Sequence, residues 1–278
     1  MALGGKPLLG CGQAAQGGFG MDMQIKGLRV LITAGAGGIG LEIARAFVAE
    51  GARVHVCDVD SAALAGLAAS DPGVTCSKAD VSSRPEVEAL FKDALRHLGG
   101  LDVLVNNAGV AGPTGRVEDI HPEDWDNCVG ICLTGQFNCA RLAVPHLKAS
   151  RNASIVNLSS VAGRLGFGLR APYAAAKWGV IGFTKSLAAE LGEFGIRVNA
   201  ILPGIVAGDR IRRVFASKAQ VRGVAASMVE AEALSYVSMK SMVTAQQLAD
   251  QIVYICSPRG CGVSGQALSI CGDLQMLA

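Results

Sequence analysis

Short apolar runs alternate along this chain with longer stretches whose apolar residues recur every three or four positions. The runs are RVLIT (29–33), RVHVCD (53–58), VTCSKADV (74–81), LDVLVNNAG (101–109), IVNLSS (155–160) and IRVNAILPG (196–204). Each has strand length and is bounded by glycine, asparagine, serine or aspartate. Between them lie helix patterns. LEIARAFVAEG follows the first run, and an alanine-rich segment spans residues 61–70. Val87, Leu90, Phe91, Ala94, Leu95 and Leu98 draw one apolar stripe, and Ser83 with Glu86 and Pro85 gives that helix a capping-box start. Residues 121–147 read as a helical region bent near Gly130 and Gly135, and residues 173–191 as another helix. Thr244 with Gln247 opens a last helix to about Cys256, before a short seventh strand in VSGQALSI. Uninterrupted apolar strands alternating with amphipathic helices predict a doubly wound α/β fold, a seven-stranded parallel sheet flanked by helices.

In such sheets ligands bind beyond the C-terminal ends of the strands. Asp58, Asp80 and Asn107 fall at such ends. The first strand runs into AGAGGIG and then a helix, so a backbone free of side chains meets a helix N-terminus, an arrangement suited to a pyrophosphate. Asp58 lies 18 residues after Gly40, at the end of the second strand. A carboxylate there accepts from both adenosine-ribose hydroxyls and repels an added phosphate, which favours NAD over NADP.

Tyr173 and Lys177 stand four residues apart in APYAAAK, on one face if that run is helical. An ammonium beside a phenol favours the phenolate, and Ser160, at the end of IVNLSS, can offer a hydroxyl to the same place. A serine that orients oxygen, a tyrosine that moves a proton and a lysine that tunes it suit chemistry at a carbinol or carbonyl.

The 278 residues carry 25 basic and 23 acidic side chains, for a net charge of +2. That balance argues against nucleic acid as the main partner. No apolar run reaches the roughly 18 residues of a membrane span. Residues 1–24 are glycine-rich and aperiodic, without the basic head and apolar stretch of a secretory signal, and are read as a flexible tail. Residues 25–278 are then a single catalytic domain. Nine cysteines scattered through apolar segments suggest reduced thiols in a cytoplasmic protein. Cys128, Cys132 and Cys139 could share a helix face, but no histidine is spaced to complete a metal site. Residues 205–243 break the strand–helix rhythm and suit a substrate lid. Arg210, Arg212 and Arg213 on it could attract an acidic substrate or simply be solvated.

The order of these motifs over residues 25–273 resembles the short-chain dehydrogenase/reductase (SDR) family. The matching stretches are Thr33 to Gly40, Asp80, Asn106 to Gly109, Ser160 thirteen residues before Tyr173, Lys177, and Pro203-Gly204. The resemblance implies a Rossmann-like fold and a catalytic Ser160, Tyr173 and Lys177. It implies NAD contacts from Thr33, Gly35, Gly38, Ile39, Gly40, Asp58, Val59, Asp80, Val81, Asn107, Ala108, Gly109, Tyr173, Lys177, Pro203, Gly204 and Val206. It further implies hydride transfer between NAD and a small-molecule secondary alcohol or ketone, in a homo-oligomer, dimer or tetramer. Several positions depart from the pattern, and the family's late Asp-Gly-Gly is Cys271-Gly272-Asp273 here. Ala34 replaces the first glycine of the turn, Gly208 stands where many members carry threonine, and Cys132 occupies the place of the catalytic asparagine. The last departure leaves a second reading, a dinucleotide-binding protein with weak or no activity.

Overall fold

The computed structural model describes residues 22–277. The expected tail therefore lies outside the described residues, apart from residues 22–24. The strands are β1 Arg29–Thr33, β2 Arg53–Asp58, β3 Val74–Lys78, β4 Val103–Asn106, β5 Ser154–Leu158, β6 Arg197–Pro203 and β7 Ala267–Ile270. The helices are α1 Gly38–Ala49, α2 Ser61–Ser70, α3 Arg84–Leu98, α4 Pro122–Val129, α5 Gly135–Leu147, α6 Ala171–Leu191, α7 Asp209–Arg222, α8 Ala226–Ser235 and α9 Ala245–Cys256. All seven strands run parallel in the order β3-β2-β1-β4-β5-β6-β7. This is the seven-stranded doubly wound sheet that the apolar runs predict.

Side-chain alternation sorts the strands' residues into two cores. Val30, Ile32, Val54, Val56, Val103, Val105 and Val156 pack with α1, α2 and α9. Leu31, Cys57, Leu104, Ile155 and Val198 face the other way, onto α3, α5 and α6. Both faces are covered, so the strands are mostly apolar, and the polar residues they do carry, such as His55, Asn157 and Asn199, are buried and hydrogen-bonded. The stripe Val87, Leu90, Phe91, Ala94 and Leu98 is buried as its spacing requires.

Order reverses between β1 and β4, where the chain first winds outward to β3 and then returns. Loops leaving β1 and β4 diverge to opposite faces there and open a crevice at the strands' C-terminal ends. Residues 121–147 form one continuous helical body, α4 and α5 joined by a π turn over Gly130–Thr134. The bend read from Gly130 and Gly135 is this turn. Gly135 is required because a Cβ there would lie 2.5 Å from Val81. The widened turn frees the Cys132 carbonyl to accept from Gln136 Nε2 at 3.1 Å.

Two helix starts differ from one another. Thr244 and Gln247 make a reciprocal capping box at α9. At α3 the expected box does not form: Ser83 makes no side-chain cap, and Glu86 accepts from the Asp80 amide at 3.0 Å instead. The glutamate thus ties the helix to the end of β3 and steadies the loop beyond it. Residues 205–243 leave and rejoin the sheet edge at one point. Val206 pairs with Val243, and backbone bonds run from Ala207 to Val243 and from Val243 to Ile205. Above that base α7 and α8 build their own small core from Phe215, Ala219, Val229 and Val237, with Leu274 of the C-terminal segment. No helix among the described residues is long and apolar enough to cross a membrane.

Candidate active site

The first strand delivers Thr33 into the crevice. Its hydroxyl accepts from the amides of Asn107 at 3.0 Å and Ala108 at 2.9 Å. Asn107 returns the connection, donating from Nδ2 to the carbonyls of Thr33 and Ala34 at 3.0 Å each. The Asn106–Gly109 turn and the glycine turn are therefore stitched together. The asparagine amide group is committed to the scaffold.

The glycine turn divides into closed and open positions. A Cβ at Gly35 would meet Val56 at 2.6 Å, and one at Gly40 would meet the Ala34 carbonyl at 2.1 Å. Gly37 and Gly38 face open space, with nothing within 4 Å of where a Cβ would stand. That open, side-chain-free surface at the N-terminus of α1 fits a dinucleotide's pyrophosphate. Ile39 is half-buried beside it. Ala34 has φ of +51°, the left-handed region that glycine occupies without cost.

Asp58 ends β2 next to this surface. Its carboxylate accepts from the Ala36 amide and the Asp60 amide, at 3.2 Å each. A carboxylate has acceptor capacity beyond two such long bonds, which fits a ribose diol. Val59 beside it is 59% exposed. Asp80 turns onto its own loop and accepts from the amide and hydroxyl of Ser82. Val81, Ala108 and Pro203 are buried, and Gly204 packs against Cys271, which a Cβ would strike at 2.6 Å.

On the substrate side β5 ends at Leu158, and Ser160 follows, 8% exposed, its Oγ accepting from the Ala162 amide at 3.1 Å. Helix α6 brings Tyr173 and Lys177 to the same edge. Lys177 is buried, and its Nζ donates to the Leu158 carbonyl at 2.7 Å and lies 5.6 Å from the Tyr173 ring centre. Ser159 Oγ donates to the Lys177 carbonyl at 2.7 Å, and a Cβ on Gly163 would collide with both atoms of that bond. The end of β5 and the first turns of α6 thus lock together, which fixes the lysine's position. Tyr173 makes no hydrogen bond among the described residues.

Cys132 faces this lysine. A methyl group on Gly109 would come within 3.4 Å of Lys177 Nζ and 3.5 Å of Cys132 Sγ, so the two flank one glycine. Cys132 packs in a small buried cluster with Cys128, Ala176 and Tyr173. A hydrogen bond from the Cys128 thiol, helped by the Lys177 charge and opposed by burial, pulls Cys132 down to about 5. The same bond pushes Cys128 up. Of the two thiols Cys132 is the more acidic, and its Sγ donates to the Val110 carbonyl at 3.5 Å.

Three features here escape the sequence pattern. Cys128 and Cys132 share a helix face by their i,i+4 spacing, but their hydrogen bond and the approach of Lys177 to that pair are set by the fold. Arg210 donates to the Gly109 carbonyl at 3.1 Å, bridging α7 to the β4 turn, while Arg212 pairs with Asp209 and Arg213 is exposed. Arg170, just before the catalytic-helix tyrosine, is 2% exposed. Its one legible signal is a charge inside the otherwise uncharged stretch LGFGLRAPYAAA. Among the described residues no group of three or more His, Cys, Asp or Glu could hold a metal.

A twisted parallel sheet with a dinucleotide cradle at its reversal point, and a Ser–Tyr–Lys set on its edge, defines an oxidoreductase class. The family model for short chain dehydrogenases matches residues 29–219, and the chain belongs to that family. It is 36% identical over 255 residues to a putative ketoacyl reductase of Streptomyces coelicolor, covering 88% of this chain and 95% of that one. It is 34% identical over 247 residues to a D-beta-hydroxybutyrate dehydrogenase of Cupriavidus necator, covering 87% and 95%. The structure superimposes on NAD+-bound xylitol dehydrogenase with a TM-score of 0.85 at 27% identity, over 90% of this chain and 99% of that one. The protein is an NAD(P)-dependent oxidoreductase of alcohols and ketones.

Proposed function

We propose that this enzyme moves hydride between NAD and a secondary alcohol or ketone, with Tyr173 as the general acid/base. The observation that carries this reading is the placement of Lys177. Its buried ammonium is fixed by the Leu158 carbonyl at 2.7 Å and stands behind the Tyr173 ring. The tyrosine hydroxyl has no competing hydrogen-bond partner among the described residues. In oxidation the phenolate takes the carbinol proton, and in reduction the phenol returns it to the carbonyl oxygen. Ser160, held by the Ala162 amide, orients the substrate oxygen. NAD supplies the hydride acceptor and, reduced, the donor.

The cradle of Gly35, Gly37, Gly38 and Gly40 holds the pyrophosphate, and Asp58 holds the adenosine ribose and disfavours NADP. Cys132 takes the place at Lys177 where the family pattern has an amide. A thiol is a weaker donor and acceptor than that amide, so any relay from the lysine through Cys132 is weakened. Residues 205–243 cover the substrate side, pinned at Val206 and Val243. A reductase of ketoacyl groups and a dehydrogenase of hydroxybutyrate among the relatives support a ketone/alcohol interconversion.

The test is Tyr173→Phe, which keeps the ring and deletes the proton carrier. Single-turnover hydride transfer, followed by NADH absorbance with saturating cofactor and an accepted alcohol, is expected to slow by roughly 10²–10⁴-fold while NAD affinity changes little. Equal rates in the two proteins would overturn the assignment.

A further inference from the structure

Arg170 is the N-cap residue of α6, three residues before Tyr173. Its guanidinium carbon lies 5.3 Å from the Tyr173 ring centre and 5.3 Å from that of Phe167. One nitrogen, Nη2, donates to the Ala111 carbonyl. The other two, Nε and Nη1, are buried and have no hydrogen-bond partner. No carboxylate among the described residues pairs with this guanidinium. The charges that act on it are Arg210 from α7, which repels it, and Tyr173, Cys128 and Cys132 around the reaction centre. A second cation, Lys218 of α7, lies 4.3 Å from the centre of the Phe167 ring. Burial and the neighbouring Arg170 charge pull Lys218 down to about 8, with Glu232 opposing.

Buried cations are ordinarily paired, and buried guanidinium nitrogens ordinarily have acceptors. Here two buried donors, on a side chain 5.3 Å from the Tyr173 ring centre, have no acceptor among the described residues, and a second cation adds to the local positive charge. We propose that Arg170 is a substrate-binding residue, and that the enzyme's substrate is a secondary alcohol or ketone carrying an oxyanion, a carboxylate or phosphate, that bonds to Arg170. The inference rests on Tyr173 as the acid/base, because the oxyanion must reach Arg170 while the carbinol lies at the phenol. Since Arg210 and Lys218 belong to α7, an entering anion meets the lid's charges as well as Arg170, and its arrival offsets their mutual repulsion.

The test compares kcat/KM for 3-hydroxyalkanoates of four to eight carbons with their methyl esters. Hydroxyalkyl phosphates are compared in parallel with the corresponding neutral methyl ethers. One anionic series is expected to exceed its neutral match by roughly 10- to 100-fold, the worth of a charge-assisted hydrogen bond. Whichever series does so identifies carboxylate or phosphate. In Arg170→Met that preference collapses at least ten-fold, chiefly through KM for the anion, and Arg170→Lys restores part of it. Arg170→Gln serves if the Met variant fails to fold. Neutral substrates equal to or better than the acids in wild type, or equal losses for both in the variants, overturn the proposal. A binding arm needs no turnover. Acetate and inorganic phosphate are titrated into NAD-loaded wild type and Arg170→Met, and melting temperature is read. A rise in wild type alone supports the site, and no rise or equal rises sink it. If wild type turns over none of the series yet shows a rise in melting temperature that Arg170→Met lacks, the failure lies with Tyr173 as the acid/base and not with Arg170.

Discussion

Ala34 holds a φ of +51° in the glycine turn proposed to hold the cofactor's phosphates. An L-residue with a Cβ in that region costs about 1–2 kcal/mol relative to right-handed backbone. Glycine removes the cost but gives the unfolded chain more freedom, which takes back about 0.4–1 kcal/mol. The Ala34 side chain is only partly buried, against the core beneath α3 and α5, so truncation sacrifices little packing. Ala34→Gly is therefore expected to stabilise the protein by about 0.8 kcal/mol, or about 2 °C in melting temperature for a chain of this size. Ala34→Val carries a β-branched side chain into the same backbone and is expected to melt below wild type. Differential scanning calorimetry of the three proteins without NAD, with urea titrations to confirm equal m values, measures the order Gly above Ala above Val. A glycine variant that melts lower than wild type, or a valine variant that matches it, would show that the turn is not strained at this position.

Asp58→Ala is expected to weaken NAD and to narrow or reverse its advantage over NADP, read by titrating both cofactors against both proteins. Equal affinities in wild type would remove the role given to the carboxylate. His55 is wholly buried, its ring between Thr75 Oγ1 at 2.8 Å and Ser77 Oγ at 2.9 Å. Burial, with the nearby His97 and Arg96 charges, pulls it down to about 4. Its unfolded value is about 6.5. Between those values the unfolded chain binds more protons than the folded one, so stability is lost as pH falls from about 6.5 to about 4. The loss attributable to this group is at most about 3 kcal/mol. His55→Gln is expected to flatten that part of the stability–pH curve, and identical slopes for the two proteins over that range count against it.

Most of the frame is written in local pattern. A strand buried on both faces is mostly apolar, so VLIT, VHVC and VLV announce a covered parallel sheet before any contact is known, even with His55 inside one of them. Asp58, Ser160 and the Tyr173–Lys177 pair are legible for a related reason. Each sits at a strand end or at helical spacing, and topology forces such ends to one edge. Other features depend on distances that no local rule supplies. Glu86 has the spacing to close on Ser83, yet the end of β3 brings the Asp80 amide within reach and takes the bond. Cys128 and Cys132 are legible as thiols on one helix face, but the approach of Lys177 to Cys132 across Gly109 is known only from the fold. Ala34 reads as a tolerable methyl until the fold sets its φ positive. Arg170 shows most plainly what lies outside sequence. A lone arginine in a loop is ordinarily solvated, and only the packing of α7, Phe167 and the Ala111 turn around it removes water from two of its nitrogens. Period and spacing express what each segment demands of its own neighbours. The partner of a buried charge is settled by which segments the completed fold has pressed together.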